Sequence, residues 1–420
     1  MRAILEKRAL RFVLLANVVS MLGSGMNSAA VAWHILEATR SEMALSTLAV
    51  LQTLPAMLML PFAGVIIDRE DRRRLVMTLD AARAVIILAV SILAFRGTVQ
   101  VWQLYLMNML VAAGFWMFWP TITALIQELT PEGEFVAANT FLLAGIQGGW
   151  LLAGAIVGFA YNHIGLGGVL LVDFLTYVVS FVCYFAVRKG RHVVPRPAEL
   201  RADLRAAETA EKRFWHELWE GIEFLRDRRG VVLLGLSWAL FLGAMLSGVV
   251  VTPSLSARVF HAGAVGYGWL NGGWGMGAFL SALYAPQVIA RLGWRLTIAV
   301  SMGLLATSMT LSPFAGALAV AVLLYGIMGS ARGVSGVAMN TSLMEQVPQH
   351  FMGRVQNTFY FVGTALQIAV SVSVGWIAQR VSLAGGFAVI GAVYLCAFIS
   401  AAWPVESEAP ALSDVTNELP

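Results

Sequence analysis

DREDRRR, residues 68 to 74, sets seven charged side chains in a row, and the 25 residues ahead of Asp68 contain no Asp, Glu, Lys or Arg. In a chain that is 59% hydrophobic and 12% charged, such a cluster marks a boundary. Four arginines cannot rest in hydrocarbon, so the stretch reads as a surface loop between two membrane spans. A bilayer is crossed by about 20 apolar residues, and runs of that length recur along the chain. They predict an all-α integral membrane protein with twelve spans, over 12–36, 43–67, 75–95, 100–128, 135–161, 164–187, 231–257, 264–290, 296–313, 315–345, 354–379 and 382–403. A water-soluble core could not enclose so many helices that are apolar all round. The first run follows Arg2, Lys7, Arg8 and Arg11. It outlasts the roughly 7–15 residues of a signal-peptide core, so it reads as an uncleaved span.

The basic residues set the orientation. With a cytoplasmic N-terminus, the inner segments hold 22 of the 28 Lys and Arg, the outer turns hold Arg40, Arg96, Arg258 and Arg380, and Arg83 and Arg332 lie within spans. This asymmetry predicts that both termini are cytoplasmic. It also accounts for the net charge of +4 without a nucleic-acid partner. Cys183 and Cys396 sit in separate apolar runs with no disulfide or metal spacing, and no cofactor is expected.

The single long polar stretch, 188–230, divides the chain into a six-span bundle over 1–187 and another over 231–403, with an acidic tail over 404–420. Within it, Phe214, Trp215, Leu218, Trp219, Ile222 and Leu225 recur at helical spacing. That pattern suits either a helix lying on the inner leaflet or one packed on the protein's own inner face. The halves echo each other at an offset of about 220 residues. Glu128 precedes Pro131 as Glu345 precedes Pro348, and Asn139-Thr140-Phe141 is matched by Asn357-Thr358-Phe359. GVIIDREDRR falls over PQVIARLGWR, residues 286–295. Parallel six-helix repeats are a known transporter plan, with the substrate site between the halves.

At Asp68 a carboxylate ends the second span, where the helix dipole disfavours it, so another helix's N-terminus would be a better neighbour. GVIIDREDRRR, residues 64–74, resembles the loop between the second and third helices of the major facilitator superfamily. FWPTITALIQELTPEGEFVAANT (118–140), MEQVPQHFMGRVQNTF (344–359) and SMLGSGMNSAAVAWHILEATRSEMALS (20–46) are similar to its bacterial exporter branch, which contains macrolide efflux pumps and enterobactin exporters. The resemblance implies a gating motif of Gly64, Asp68, Arg69, Arg72, Arg73, Glu128 and Arg354. Asp68 would dock on the helix beginning near Arg354 when the protein faces outward, and Arg72 or Arg73 would tie to Glu128. The other reading is that the loop is only a charged anchor. The chain departs from the branch at Gly149-Trp150, where Gly-Pro is common, and at Ser24, where an acid is common.

The resemblance also implies that spans 1, 4, 7 and 10 line the cavity. Their polar residues are Asn17, Asn27, His34, Asn108, Arg332 and Asn340, and Trp116, Trp119, Trp238 and Phe241 would offer flat apolar walls or serve as packing. Arg332 lies 13 residues before Glu345, about 20 Å along a helix. A cation at that depth needs a wet cavity or a partner, so it either braces the fold or attracts an anionic substrate. Candidates for carrying a coupling proton are Asp80, Asp173 and His34. Asp80 and Arg83, three apart, can pair on one helix face.

These features imply a secondary exporter, not an enzyme, acting as a monomer in the bacterial cytoplasmic membrane. It would move an amphipathic or anionic small molecule, of drug or siderophore class, by alternating access with proton coupling and lipids as neighbours. The alternatives are a lipid or lysophospholipid flippase on the same fold and a non-transporting membrane receptor. No Gly-rich loop ending in Lys-Ser/Thr is present to take ATP.

Overall fold

In hydrocarbon a backbone N–H or C=O has no partner except another backbone group, so each apolar run closes its hydrogen bonds as a helix. The computed structural model describes residues 8–130, 135–187, 215–216, 218–226 and 228–403, without the side chains of 8, 60–65, 68, 69, 127, 135–144, 147, 349 and 350. All regular structure among them is helical. The helices are α1 (Arg8–Thr39), α2 (Glu42–Arg69), α3 (Arg72–Phe95), α4 (Val101–Leu129), α5 (Phe135–Ala186), α6 (Arg229–Met245), α7 (Gly248–Ser254), α8 (Gly263–Leu311), α9 (Leu318–Gln346), α10 (Gln349–Arg380) and α11 (Leu383–Ala402). A π-helical turn, Leu255–Val259, extends α7.

Ten stretches among the described residues are long and apolar enough to cross a membrane. Two of them are interrupted. α5 breaks at Gly165 (φ 64°, ψ −175°) and α8 at Gly293 (φ 72°, ψ 159°), conformations that only glycine adopts without strain. The breaks fall where the sequence divides span 5 from 6 and span 8 from 9.

The seven-charge loop is built by capping. Asp71 accepts the Arg74 amide at 3.1 Å and starts α3. Arg72 and Arg73 then stand in the first turn of α3, where the helix dipole opposes cations. They compensate by reaching the carbonyl ends of neighbours. Arg72 Nη1 donates to Ala124 O at 3.1 Å. Arg73 Nε and Nη2 donate to Tyr184 O and Phe185 O, each at 2.7 Å.

Glycine faces bring the first set of helices, α1–α5, against the second, α6–α11. A Cβ on Gly154 would stand 2.9 Å from the Asn271 backbone and one on Gly268 3.0 Å from Gly158 N, so α5 and α8 pack backbone to backbone. Gly273 and Gly277 turn the opposite way, onto Val322 and Gly326 of α9. α2 meets α10 through Ser46, which donates to Ser371 O at 2.7 Å, and through Gln367 Nε2, which donates to Thr53 Oγ1 at 2.6 Å.

The polar stretch ahead of α6 is described only from Trp215. Its first part, with Phe214, lies outside the described residues, as do Arg2, Lys7 and the tail from 404. The helical segment 218–226 runs antiparallel along the start of α10. Trp215 packs edge-on against Phe361, Gly221 faces Arg354 and Thr358, and Phe224 stacks on Phe351 at 4.6 Å. Leu218 and Leu225 are buried in that seam, whereas Trp215, Trp219 and Ile222 remain exposed. One apolar stripe is thus satisfied by the protein, while Trp219 and Ile222 stand on the exposed side.

Candidate functional site

Between α1, α3 and the second stretch of α5 lies a buried polar network. Arg83 and Asp80 share one face of α3, as their spacing requires, and Arg83 Nη2 lies 2.6 Å from Asp80 Oδ1. The second Asp80 oxygen accepts from Ser180 at 2.6 Å. The guanidinium lies 4.7 Å from the centres of the Phe118 and Tyr177 rings, a geometry that favours a desolvated cation. Gly114 leaves the room its stem needs, since a Cβ there would meet Arg83 Cδ at 3.0 Å. Tyr177 OH shares a 2.9 Å bond with Ser24 of α1, Asn17 Nδ2 donates to Tyr184 OH at 3.0 Å, and Asn27 Nδ2 donates to Asp173 Oδ2 at 2.7 Å. The pair Asp80–Arg83 therefore braces the middle of this set of helices, one turn or more away from the charged loop.

The other central charge stands alone. Arg332, in mid α9, is half-buried, and its only hydrogen bond among the described residues runs from Nε to Met245 Sδ of α6 at 3.3 Å. Its terminal amino groups are left for a ligand or water.

At the opposite end from the charged loop, the two sets of helices are tied together. Glu42 opens α2, whose N-terminal dipole favours it, and it is fully buried. Its Oε1 accepts from Ser254 Oγ at 2.8 Å and lies 2.8 Å from Arg258 Nη1, both beyond α6 in the second set. Arg258 Nη2 also donates to Arg40 O at 2.8 Å. Gln379 Oε1 accepts from Ser41 Oγ at 2.7 Å and from the Met43 amide at 3.0 Å. The sequence reading missed Glu42. The available signal was an acid opening a span at the same membrane level as Arg258.

The remaining expected site residues disperse. His34 shares a 2.9 Å bond with Tyr161, which donates to Glu37 at 2.9 Å, near the Glu42 end and apart from Asp173. Gln52 gathers two cavity candidates: its side chain donates to Asn108 at 3.1 Å and its carbonyl accepts from Trp116 at 3.4 Å. Trp116 also lies edge-on to Tyr360 of α10, 5.7 Å between centres. Trp119 and Trp238 are half-buried against core clusters, and Phe241 is buried 6.4 Å from Tyr394. Asn340 is exposed and bonds back to Gly336 O of its own helix.

In the loop motif, Arg72 stands 4.0 Å from Glu128. Gly64 lies within α2, while the side chains of Asp68 and Arg69 fall outside those described. α10 starts at Gln349, so Arg354 sits in its second turn and pairs with Glu220 of the segment 218–226 at 3.1 Å.

Macrolide efflux protein A of Streptococcus pyogenes is 23% identical over 394 residues, covering 90% of this chain and 91% of that protein. The protein of the same name in Enterococcus faecalis is 23% identical over 345 residues, covering 79% and 99%. Among solved structures, a POT family transporter in complex with a thioalcohol-conjugated peptide superposes with a TM-score of 0.75 at 13% identity, covering 93% of this chain and 95% of that one. A bacterial homologue of the iron transporter ferroportin, in its inward-facing state, gives 0.73 at 16% identity, covering 94% and 98%. The sequence pattern of the Major Facilitator Superfamily matches residues 13–371. The chain belongs to that superfamily, whose members are transporters rather than enzymes, and is an integral membrane transporter.

Proposed function

We propose that the chain exports an amphipathic or anionic small molecule, of drug or siderophore class, by proton-coupled alternating access. It works as a monomer in the bacterial cytoplasmic membrane. In this reading the breaks at Gly165 and Gly293 bring the span count to twelve, in parallel six-span repeats over 1–187 and 231–403, joined by 188–230. Both termini and the tail 404–420 are cytoplasmic, and the Glu42 end faces outward.

The observation that carries the substrate class is Arg332. A guanidinium in mid-span with no carboxylate partner among the described residues is costly unless it meets an anion or water. Trp116 and Trp238 would supply apolar walls, and Asn108 and Asn340 polar contacts; Asn27 is taken up by Asp173 instead. The relatives named for macrolide efflux support export as the direction. Alternating access is supported by the ties at the Glu42 end, which must part for outward opening. The counterpart latch in this reading would be Asp68 docking on the N-terminus of α10 when the protein faces outward, with Gly64, Arg69, Arg72, Arg73, Glu128 and Arg354 as the rest of the motif. A lipid or lysophospholipid flippase is the second reading, favoured by Trp215 and Trp219, exposed beside α10.

The test is counterflow in proteoliposomes with erythromycin, enterobactin and a fluorescent lysophospholipid as probes. Exchange of a soluble probe supports export, exchange of the lipid alone supports the flippase, and binding without any exchange points to a receptor. Asp68→Asn should express normally and slow exchange; an unchanged rate would reduce the loop to an anchor.

A further inference from the structure

Asp80, Arg83 and Asp173 are each at most 1% exposed, and the group holds two carboxylates to one guanidinium. Asp80 takes the guanidinium directly, together with the Ser180 hydroxyl. Among the described residues Asp173 receives only neutral hydrogen-bond partners: Asn27 Nδ2 at 2.7 Å on Oδ2 and Thr176 Oγ1 at 3.4 Å from Oδ1. Around it, α1 presents neutral Gly23 and Asn27, α3 presents Arg83 with Asp80 beyond it, and α5 itself presents Thr176 and Tyr177. Arg83 spends its Nη1 on Tyr177 OH at 3.4 Å. A buried ionised carboxylate held by neutral groups alone is costly, and taking up a proton relieves it.

A second observation points to that proton. Asn27 is 3% exposed, and its Oδ1 is buried with no donor among the described residues. One atom of the amide is used and the other is idle, on a side chain already bonded to the carboxylate. A neutral carboxylic acid and a primary amide pair through two hydrogen bonds, N–H to C=O and O–H to C=O. Only the second is missing here. Gly23 keeps the place clear, since a Cβ there would stand 2.5 Å from Asp173 Oδ1.

We infer that Asp173 binds one proton on Oδ1 and that the new hydroxyl donates to Asn27 Oδ1. Asn27 Nδ2 keeps its bond to Oδ2, so protonation doubles the link between α1 and α5. It also turns the Asp80–Arg83–Asp173 group from one net negative charge to neutral. Loss of the proton removes one bond between a cavity-lining helix and its neighbour. This names the seat of the coupling proton in the transporter reading and rests on it; Asp80 and His34 are not its carriers.

Infrared difference spectra of the full chain in lipid vesicles test it without a substrate. Acidification should produce a carboxylic C=O band that is lost in Asp173→Asn and moves to higher frequency in Asn27→Leu, where the amide donor is gone. In proteoliposomes holding erythromycin or enterobactin, Asp173→Asn should lose stimulation by a pH gradient relative to its own exchange rate. A band that survives Asp173→Asn, a frequency unmoved in Asn27→Leu, or a sodium gradient that replaces the pH gradient would each overturn the assignment. Absence of exchange in the wild-type protein would instead refute the transporter reading, and the spectra would still decide where the proton sits.

Discussion

Arg73 and Arg295, about 220 residues apart, perform the same task in their respective sets of helices. Arg73 donates to Tyr184 O and Phe185 O at the end of α5, and Arg295 Nε donates to Ala401 O, 3.3 Å away, at the end of α11. In each case a cation opening one helix caps the carbonyl end of another, where both the orphan acceptors and the dipole favour it. Arg73→Ala should therefore cost about 1–3 kcal/mol, from two charge-assisted bonds. Arg295→Ala, losing a single longer bond, should cost about 0.5–1.5 kcal/mol. Apparent melting temperatures in detergent would check the order, and an equal loss in both would count against it.

The tie between Glu42 and Arg258 predicts a coupled opening. Glu42 is 1% exposed but Arg258 is 46% exposed, so the pair lies between an exposed bridge, worth under about 1 kcal/mol, and a buried one, whose rupture costs about 3–5 kcal/mol. A coupling of about 1–3 kcal/mol is expected from the cycle of Glu42→Gln, Arg258→Ala and the double variant. The readout is labelling of Ser46→Cys by a membrane-impermeant thiol reagent, with Cys183 and Cys396 replaced by serine. Each single variant should label faster, and the double variant no faster than Arg258→Ala.

Asp80 should tolerate less. Asp80→Asn removes the negative charge that pairs with the buried Arg83 guanidinium and leaves it neutral partners: one amide oxygen, Tyr177 OH, Leu79 O and two ring faces. Removing one member of a buried pair costs about 3–5 kcal/mol, so folded yield should fall sharply by size-exclusion chromatography. Asp80→Asn with Arg83→Met should recover part of it.

What the sequence made legible follows from what hydrocarbon enforces. Apolar length sets the spans, and the turns within α5 and α8 appear because Gly165 and Gly293 can take a positive φ. Local geometry also carries far: Asp80 and Arg83 pair because residues three apart share a face. Long-range partners were hidden. Asp173 to Asn27, Glu42 to Arg258 and Arg354 to Glu220 depend on which faces meet. In a membrane helix both the lipid side and the packed side are apolar, so hydropathy does not tell them apart. The segment 218–226 shows the same gap. Its periodicity predicts a helix with an apolar face, but not that Leu218 and Phe224 would turn to α10 while Trp219 stays exposed.

Arg332 gives a prediction about charge and shape. Arg332→Lys keeps a cation on a flexible stem but loses the planar fork, whereas Arg332→Ala loses both. Binding of enterobactin, measured by thermal shift, should weaken about tenfold or more in Arg332→Ala, from the charge-assisted bonds lost. Arg332→Lys should fall between. Wild-type affinity in both would remove this side chain from the substrate site.

The glycine seam between α5 and α8 makes the most direct test of closure at the Glu42 end. A Cβ at Gly158 would run into Ala264 O and stand 2.8 Å from Val265 Cα. Both are backbone atoms, which cannot swing aside as a side chain could, so the helices must separate. Overpacking of this kind costs about 1–3 kcal/mol, and the cost falls only on the state in which the seam is closed. Gly158→Ala should thus shift the equilibrium about 5–150-fold toward the state open at that end, with faster labelling of Ser46→Cys and slower exchange. Gly148, ten residues earlier on the same helix, has nothing among the described residues within 4 Å of its Cβ position. Gly148→Ala should therefore leave labelling unchanged and stabilise the helix by about 0.5–1 kcal/mol. Equal labelling in the two variants would mean that the seam is not part of the gate.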